Sequence, residues 1–283
     1  MAISISTVRQ ALEGLYEIEC EIGRGAMATV FKGSDTGGRE IALKVLRPEF
    51  AVTLIGDRFH REIDILSRLD HPNILPLYES GEAGHLVYYT MPFAPSGTLR
   101  DRLDQRTQLP LDETLAIIRD VGAGLDHAHR HEIIHRDIKP ENIIFDADRA
   151  LICDFGIARA VVSAGGERIS TSGLVVGTPS YMSPEQAAGA YEIDHTADIY
   201  ALACVVFEML AGDPPFTGRS TQAVMTRQIK EPPPSIRVVR PELPEHVDAA
   251  LKQALAKAPE ERPRSGGAFA ASLETRSERG GAV

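Results

Sequence analysis

Between Pro92 and Gly97, in the stretch PFAPSG, the apolar period of this 283-residue chain changes. Before it, short β-rich runs (YEIECEI, TVFKGS, EIALKVL and HLVYYTM) alternate with one helical stretch, DRFHREIDILSRL, where Phe59, Ile63 and Leu66 recur at helical spacing. That pattern predicts a small sheet with one helix. After it the pattern is helical: in LDETLAIIRDVGAGLDHAHRH, Ile118, Val121, Leu125 and Ala128 share a face, with Asp112 as N-cap. ADIYALACVVFEMLAGDPP is apolar nearly all round, and predicts a buried helix ended by Gly212, Pro214 and Pro215.

Composition narrows the function. At 43% hydrophobic and 25% charged residues the chain folds rather than staying disordered, and a formal net charge of -10 excludes a broad basic surface for nucleic acid. Any anionic ligand must be met by local cations. Cys20, Cys153 and Cys204 have neither metal-ligand nor redox spacing, which fits small core residues in a reducing compartment. The N-terminus lacks a basic start followed by an apolar stretch, and the longest apolar run is interrupted by Glu208, so a cytoplasmic chain without membrane contact is expected. There are no internal repeats, and TRSERGGAV reads as a mobile tail.

One stretch sets charge among core-like residues: IIHRDIKPENIIFD, from Ile133 to Asp146. It follows the long helical pattern, and NIIFD and ALICDFG read as two short strands joined by a turn around Asp146 to Arg149. The charged residues therefore sit in a loop held by apolar anchors, which is how a site is held.

HRDIKPEN matches a known signature at seven places, and at about 5% per residue type that is a coincidence of about one in 10^9 windows. With DFG at Asp154, GRGAMATV from Gly23 to Val30 and IALK ending at Lys44, the sequence resembles eukaryotic-type serine/threonine protein kinases over about Tyr16 to Leu273. GRGAMATVF and MSPEQA are most similar to the bacterial members. The resemblance implies an α+β, bilobal fold: a small antiparallel N-lobe sheet with one main helix, and a larger, mostly helical C-lobe. The implied division is an N-terminal extension (1–15), a kinase domain (16–273, with N-lobe 16–91, hinge 92–97 and C-lobe 98–273) and a polar tail (274–283).

The resemblance also assigns roles. Moving a γ-phosphoryl group onto a hydroxyl demands alignment and charge stabilisation more than covalent work by the protein. Asp137 would accept the proton of the substrate hydroxyl, Lys139 would reach the transferring phosphoryl group, and Asn142 and Asp154 would hold metal. A carboxylate beside a triphosphate is repelled by about 4 kcal/mol per charge pair at about 4 Å and an effective dielectric of about 20, so Asp154 near phosphate implies Mg²⁺ or Mn²⁺. Lys44 would take the α- and β-phosphates of ATP, with Glu62 as its partner. Ile22, Gly23, Arg24 and Gly25 belong to a hairpin over the phosphates whose backbone N–H groups would be donors; its third glycine position is Ala28, a departure from the family pattern. Val30, Ala42, Met91, Pro92, Ala94 and Ile144 would surround adenine between the lobes.

Lys139 and Thr178 imply serine or threonine as acceptor. Glu185 would pair with Arg262, Asp198 would accept hydrogen bonds from the catalytic-loop backbone, and Ser183, where the family more often has Ala, is expected to matter little. Arg136 precedes the catalytic Asp, which implies a cation for phosphate on an activation segment from about Asp154 to Glu185, with Ser170, Thr171 and Ser172 as acceptors. The implied partners are protein substrates bearing Ser or Thr, and a second copy of the chain for autophosphorylation. A pseudokinase scaffold is the alternative reading, and a small-molecule phosphotransferase of related fold a further one. The tail after Leu273 suits a linker to a membrane receptor, so a complete protein and the cytosolic kinase portion of a longer one both stay open.

Overall fold

The computed structural model of the chain describes residues 3–25, 27–48, 66–155 and 179–274, and it divides into two compact units between Pro95 and Ser96.

In the first unit a helix α1 (Ile5–Ala11) precedes five strands: β1 (Tyr16–Arg24), β2 (Ala28–Asp35), β3 (Glu40–Leu46), β4 (Glu79–Ala83) and β5 (Leu86–Pro92). They form one antiparallel sheet in the order β1-β2-β3-β5-β4. Because side chains alternate along a strand, Phe31, Ile41, Leu43, Val45, Leu86 and Tyr88 share one face and make a buried cluster with Ile18. The sequence reading did not anticipate α1, which closes that cluster with Val8 while Ile3 and Leu12 flank it. The Arg9 guanidinium donates to the carbonyls of Ile18 (2.8 Å) and Glu19 (2.8 Å), where the β1–β2 register slips between Ile18 and Cys20. That slip frees backbone carbonyls from the ladder, and Arg9 satisfies them. Polar β4, ESGEA, is set by pairing with β5 rather than by its own pattern. Cys20 is exposed, contrary to the core position read for it, because it lies on the edge strand. The stretch containing Phe59, Glu62 and Ile63 lies outside the described residues.

The second unit holds α2 (Leu99–Arg106), α3 (Leu111–Arg130), the hairpin β6 (Ile143–Asp146) and β7 (Arg149–Ile152), then α4 (Pro184–Ala187), α5 (Thr196–Ala211), α6 (Thr221–Lys230), α7 (Glu245–Ala254) and α8 (Gly266–Glu274). Helix α5 is buried from Thr196 to Leu210 and forms the centre of the unit. It stops where Gly212 adopts φ 92°, a left-handed conformation that favours glycine. Ile118, Val121, Leu125 and Ala128 of α3 are fully buried. The N-cap of α3 is Pro110, without a side-chain cap; Asp112 sits in the first turn, where its charge favours the positive end of the helix dipole. The Asp120 carboxylate accepts the Ala150 N–H (2.9 Å) and ties α3 to the β6–β7 hairpin. Cys153 and Cys204 are buried.

Candidate active site

The loop from His135 to Asn142 runs from the end of α3 into β6, so a long helix fixes one end and a hairpin the other. Its geometry starts from Asp198, a fully buried carboxylate in the first turn of α5. Asp198 accepts the backbone N–H of His135 (2.8 Å), the N–H of Arg136 (2.7 Å) and a ring N–H of His129 (2.7 Å). Burial alone pushes a carboxylate up, but the hydrogen bond and charge of His129 and the Arg136 N–H outweigh it. They hold Asp198 below the usual carboxylate range. Those bonds also stabilise Arg136 at φ 68°, a backbone conformation costing a non-glycine residue about 1–3 kcal/mol.

Two neighbours complete the support. His135 Nδ1 accepts the Asp137 N–H (3.2 Å), which leaves the ring proton on Nε2 to donate to the Cys153 carbonyl (2.9 Å). Its ring lies 4.6 Å, centroid to centroid, from Phe155, so one buried side chain joins Asp137 to the stretch carrying Asp154. Gln186 donates from Nε2 to the Arg136 carbonyl (2.9 Å), while its Oε1 accepts the Ser183 N–H (3.0 Å). Ser183 is thus the buried N-cap of α4; its presence matters, as losing such a cap costs about 1 kcal/mol. Sequence reasoning missed His129, His135 and Gln186 as supports. Their signal, polar residues beside apolar helical or loop positions, gains meaning only once Asp198 and the loop are seen together.

On this frame Asp137, Lys139 and Asn142 converge. Asp137 Oδ2 lies 2.6 Å from Lys139 Nζ and 3.2 Å from Asn142 Nδ2, and the same amide nitrogen donates to the Asp137 carbonyl (2.8 Å). With its nitrogen bonded to Asp137, the Asn142 amide keeps its oxygen as the remaining atom that a cation could use. Asp154 follows β7 at φ 66°. Asn142 and Asp154 offer hard oxygen donors, the set that suits Mg²⁺. Among the described residues no group of three or more His, Cys, Asp or Glu forms a metal cage.

The Glu185–Arg262 pair is two-pronged: the two guanidinium nitrogens each lie 2.7 Å from a carboxylate oxygen. Arg262 also donates to the carbonyls of Ala256, Lys257 and Thr196, so its fully buried side chain is satisfied on every side. Burial pushes Glu185 up, and the Arg262 hydrogen bonds and charge reverse this, keeping it below the usual range.

In the first unit the strand register aligns Gly23 with Val30, Val30 with Lys44, and Ala42 with Met91. Val30, Ala42, Lys44 and Met91 therefore project from the face opposite the α1 cluster. Lys44 Nζ stands 5.9 Å from the centre of the Tyr89 ring. The Gly25 N–H closes the β1–β2 turn on the Ala28 carbonyl (2.9 Å), so it serves the hairpin itself rather than being an available donor. A Cβ on Gly23 would come no nearer than 3.9 Å to Val30, and one on Gly25 no nearer than 3.7 Å to Ala28. The fold alone does not demand glycine at either place, whereas close approach of a phosphate does. Ala28 is buried in β2 opposite Leu46, while Ile22 and Arg24 are exposed or half-exposed. Pro92 ends β5 and Ala94 follows it, both half-buried; Ile144 lies in β6 of the second unit. Glu62, Ser170, Thr171, Ser172 and Thr178 lie outside the described residues.

The family model described as "Protein kinase domain" matches residues 16–272. A probable serine/threonine-protein kinase PknB of Lactococcus lactis is 38% identical over 246 residues, 86% of this chain and 39% of that protein. Serine/threonine-protein kinase PknD of Mycobacterium tuberculosis is 37% identical over 261 residues, covering 91% of this chain and 39% of its own. PknB of Mycolicibacterium smegmatis is 38% identical over 278 residues, 94% of this chain and 44% of that one. The chain thus spans about two-fifths of the length of these relatives. A crystal structure of Rad53 1-466 in complex with AMP-PNP shares the fold, with a TM-score of 0.75 at 24% identity over 90% of this chain and 64% of the other. The loop built on Asp198, the paired Glu185 and Arg262, and the matched family model agree: the chain belongs to the protein kinase domain family.

Proposed function

We propose that this chain transfers the γ-phosphoryl group of ATP to serine and threonine hydroxyls of proteins. The observation that carries the reading is the convergence of Asp137, Lys139 and Asn142 on a loop fixed by a buried, ionised Asp198. The substrate hydroxyl attacks the γ-phosphorus while Asp137 takes its proton. The bond from that phosphorus to the bridging oxygen breaks, and its electron pair leaves with ADP. Lys139, held beside Asp137, meets the negative charge on the phosphoryl oxygens, and Lys44 on the sheet face with Val30 and Ala42 binds the α- and β-phosphates, partnered by Glu62. Asn142 and Asp154 would hold Mg²⁺ or Mn²⁺, which when bound would supply positive charge to offset that of the phosphates.

The glycines at 23 and 25, which the fold itself leaves unexplained, support phosphate approach at the hairpin. Ile22, Arg24, Val30, Ala42, Met91, Pro92, Ala94 and Ile144 would contact the nucleotide in this reading, and Thr178 is a feature of kinases that act on serine or threonine. Ser170, Thr171 and Ser172 are autophosphorylated between two copies of the chain, and Arg136 receives the phosphate. The localisation in this reading is cytoplasmic, either as such or as the cytosolic kinase portion of a longer membrane receptor; the relatives are longer than the stretch that this chain matches. No described helix is long and apolar enough to cross a membrane.

Transfer from labelled ATP to a generic basic protein, with and without chelator, tests the reading. Incorporation on serine and threonine that stops with chelator and returns with Mg²⁺ or Mn²⁺ supports it. Transfer that is indifferent to divalent metal, or that prefers small alcohols, overturns it.

A further inference from the structure

The second unit holds a half-buried amine that no step above uses: Lys257, in the stretch that follows α7. Its Nζ stands 4.1 Å from the centre of the Phe216 ring and donates to the Tyr200 hydroxyl at 3.2 Å, and both rings are buried. The Tyr200 hydroxyl has one proton and gives it to Gln228 Oε1, so toward the lysine it can only accept. A neutral amine satisfies that contact as well as an ammonium does.

The charges nearby favour the neutral form. Among the described residues no carboxylate forms an ion pair with Lys257; Glu231, whose charge reaches it, lies 3.4 Å from Arg227 instead. The Arg262 guanidinium carbon lies 4.9 Å from the centre of the same Tyr200 ring, so a second cation shares the lysine's surroundings. Cys204 of α5 is fully buried, and burial pushes its thiol up and keeps it neutral. Desolvation first, and then the charge of Arg262, bring Lys257 down to about 8 from an ordinary 10.5. A desolvated lysine beside another cation is the arrangement that makes an amine nucleophilic near neutral pH.

We propose that Lys257 is a covalent modification site that takes an acyl group from an acyl phosphate. The Nζ lone pair attacks the acyl carbon and forms the C–N bond. The bond from that carbon to the phosphate oxygen breaks, its electron pair leaves with phosphate, and the surplus proton of the amine goes to the phosphate released. Nothing is oxidised or reduced. An anionic donor suits the place, because no carboxylate is paired with Lys257 to repel it and Arg262 adds positive potential. The amide that results keeps one N–H for the Tyr200 hydroxyl and removes the repulsion from Arg262. The reaction is independent of phosphotransfer by the chain.

The test is site-resolved acylation of the whole chain: incubation with acetyl phosphate, acetyl occupancy followed at each lysine by peptide mapping, and N-acetyl-lysine amide in the same tube as the reference amine. At about pH 7.5 Lys257 is expected to react about tenfold or more faster than the reference. Its neutral fraction there is about 200-fold larger, and its lower basicity and partial cover take back part of that advantage. Its rate should level off above about pH 8 while that of the reference keeps rising. In urea that unfolds the chain the two rates should converge. Lys257→Arg should remove the fast phase of total acetyl uptake; should that variant not fold, the mapping of the wild type carries the decision. A folded-state rate no higher than the reference, an advantage that persists in urea, or a rate still rising past about pH 10 would overturn the assignment of Lys257. Faster transfer from acetyl-coenzyme A at equal concentration would overturn the acyl phosphate as donor.

Discussion

Replacing Asp198 with asparagine keeps its shape and removes its charge, and the structure allows the consequence to be worked through. Three donors converge on the two carboxylate oxygens: the N–H groups of His135 and Arg136 and the His129 ring. A carboxamide offers one oxygen, so its NH₂ must face at least one donor N–H in a fully buried place. The remaining bonds drop from charge-assisted to neutral, about 1 kcal/mol each, and an unsatisfied buried donor costs about 1–3 kcal/mol, giving about 3–5 kcal/mol in all. That is a large part of the total of about 5–15 kcal/mol typical of a domain. Arg136, no longer held at φ 68°, relaxes and carries Asp137 with it, and misplacement by about 1 Å costs about 10²-fold in rate.

The assay is urea unfolding across pH. Because the folded Asp198 is depressed relative to the unfolded chain, its contribution is complete above the unfolded value near about 4. It is lost as the pH falls through the lower folded value. The gap between wild type and Asp198→Asn should therefore be about 3–5 kcal/mol at neutral pH and shrink below about pH 4. A gap under about 1 kcal/mol at neutral pH, or one that does not narrow on acidification, would refute the reasoning.

Three further outcomes follow from the packing. A Cβ on Gly266 would lie 2.5 Å from Gly122 Cα, where α8 crosses α3, so Gly266→Ala should cost about 1–3 kcal/mol in chemical denaturation. Leu12, fully buried beneath the first unit's sheet, should cost about 2–5 kcal/mol when changed to Ala, and trimming residues 1–12 should cost more; equal stability of the trimmed chain would refute the role given to α1. Burial pushes Lys257 down to about 8, so the unfolded chain binds its proton more tightly between about 8 and the ordinary value of 10.5. Thermal stability should gain across that interval from this group, and Lys257→Met should abolish that part of the pH dependence.

What could be read before the fold was known followed from local physics. The strand runs around Ile41–Val45 and Leu86–Met91, the helix with Ile118, Val121, Leu125 and Ala128, and the apolar α5 each announce themselves by period. The loop from His135 to Asn142 stood out because its charges lie between apolar anchors. Tertiary context decided the rest. Strand β4 is polar and glycine-bearing and exists through pairing with β5. Helix α1 has only seven residues, too few for a periodic signal, and is held by burying Val8 on the sheet. Glu208 did carry a mark, a charge interrupting an apolar run, but its partners Arg100 and Tyr181 are 108 and 27 residues away in sequence. Separations of 69 and 50 residues from their partners hide His129 and Gln186 in the same way. A polar residue that serves another polar residue far along the chain is legible only in three dimensions.

The most direct test of the central claim is to map phosphate by mass spectrometry on the purified chain after incubation with Mg-ATP, beside Asp137→Ala and Lys44→Ala. The account predicts phosphate on serine or threonine, including the cluster from Ser170 to Ser172, in the wild type and none in either variant. Phosphate that persists in the Asp137 variant at the wild-type level, or a wild type that binds ATP and transfers nothing, would contradict it.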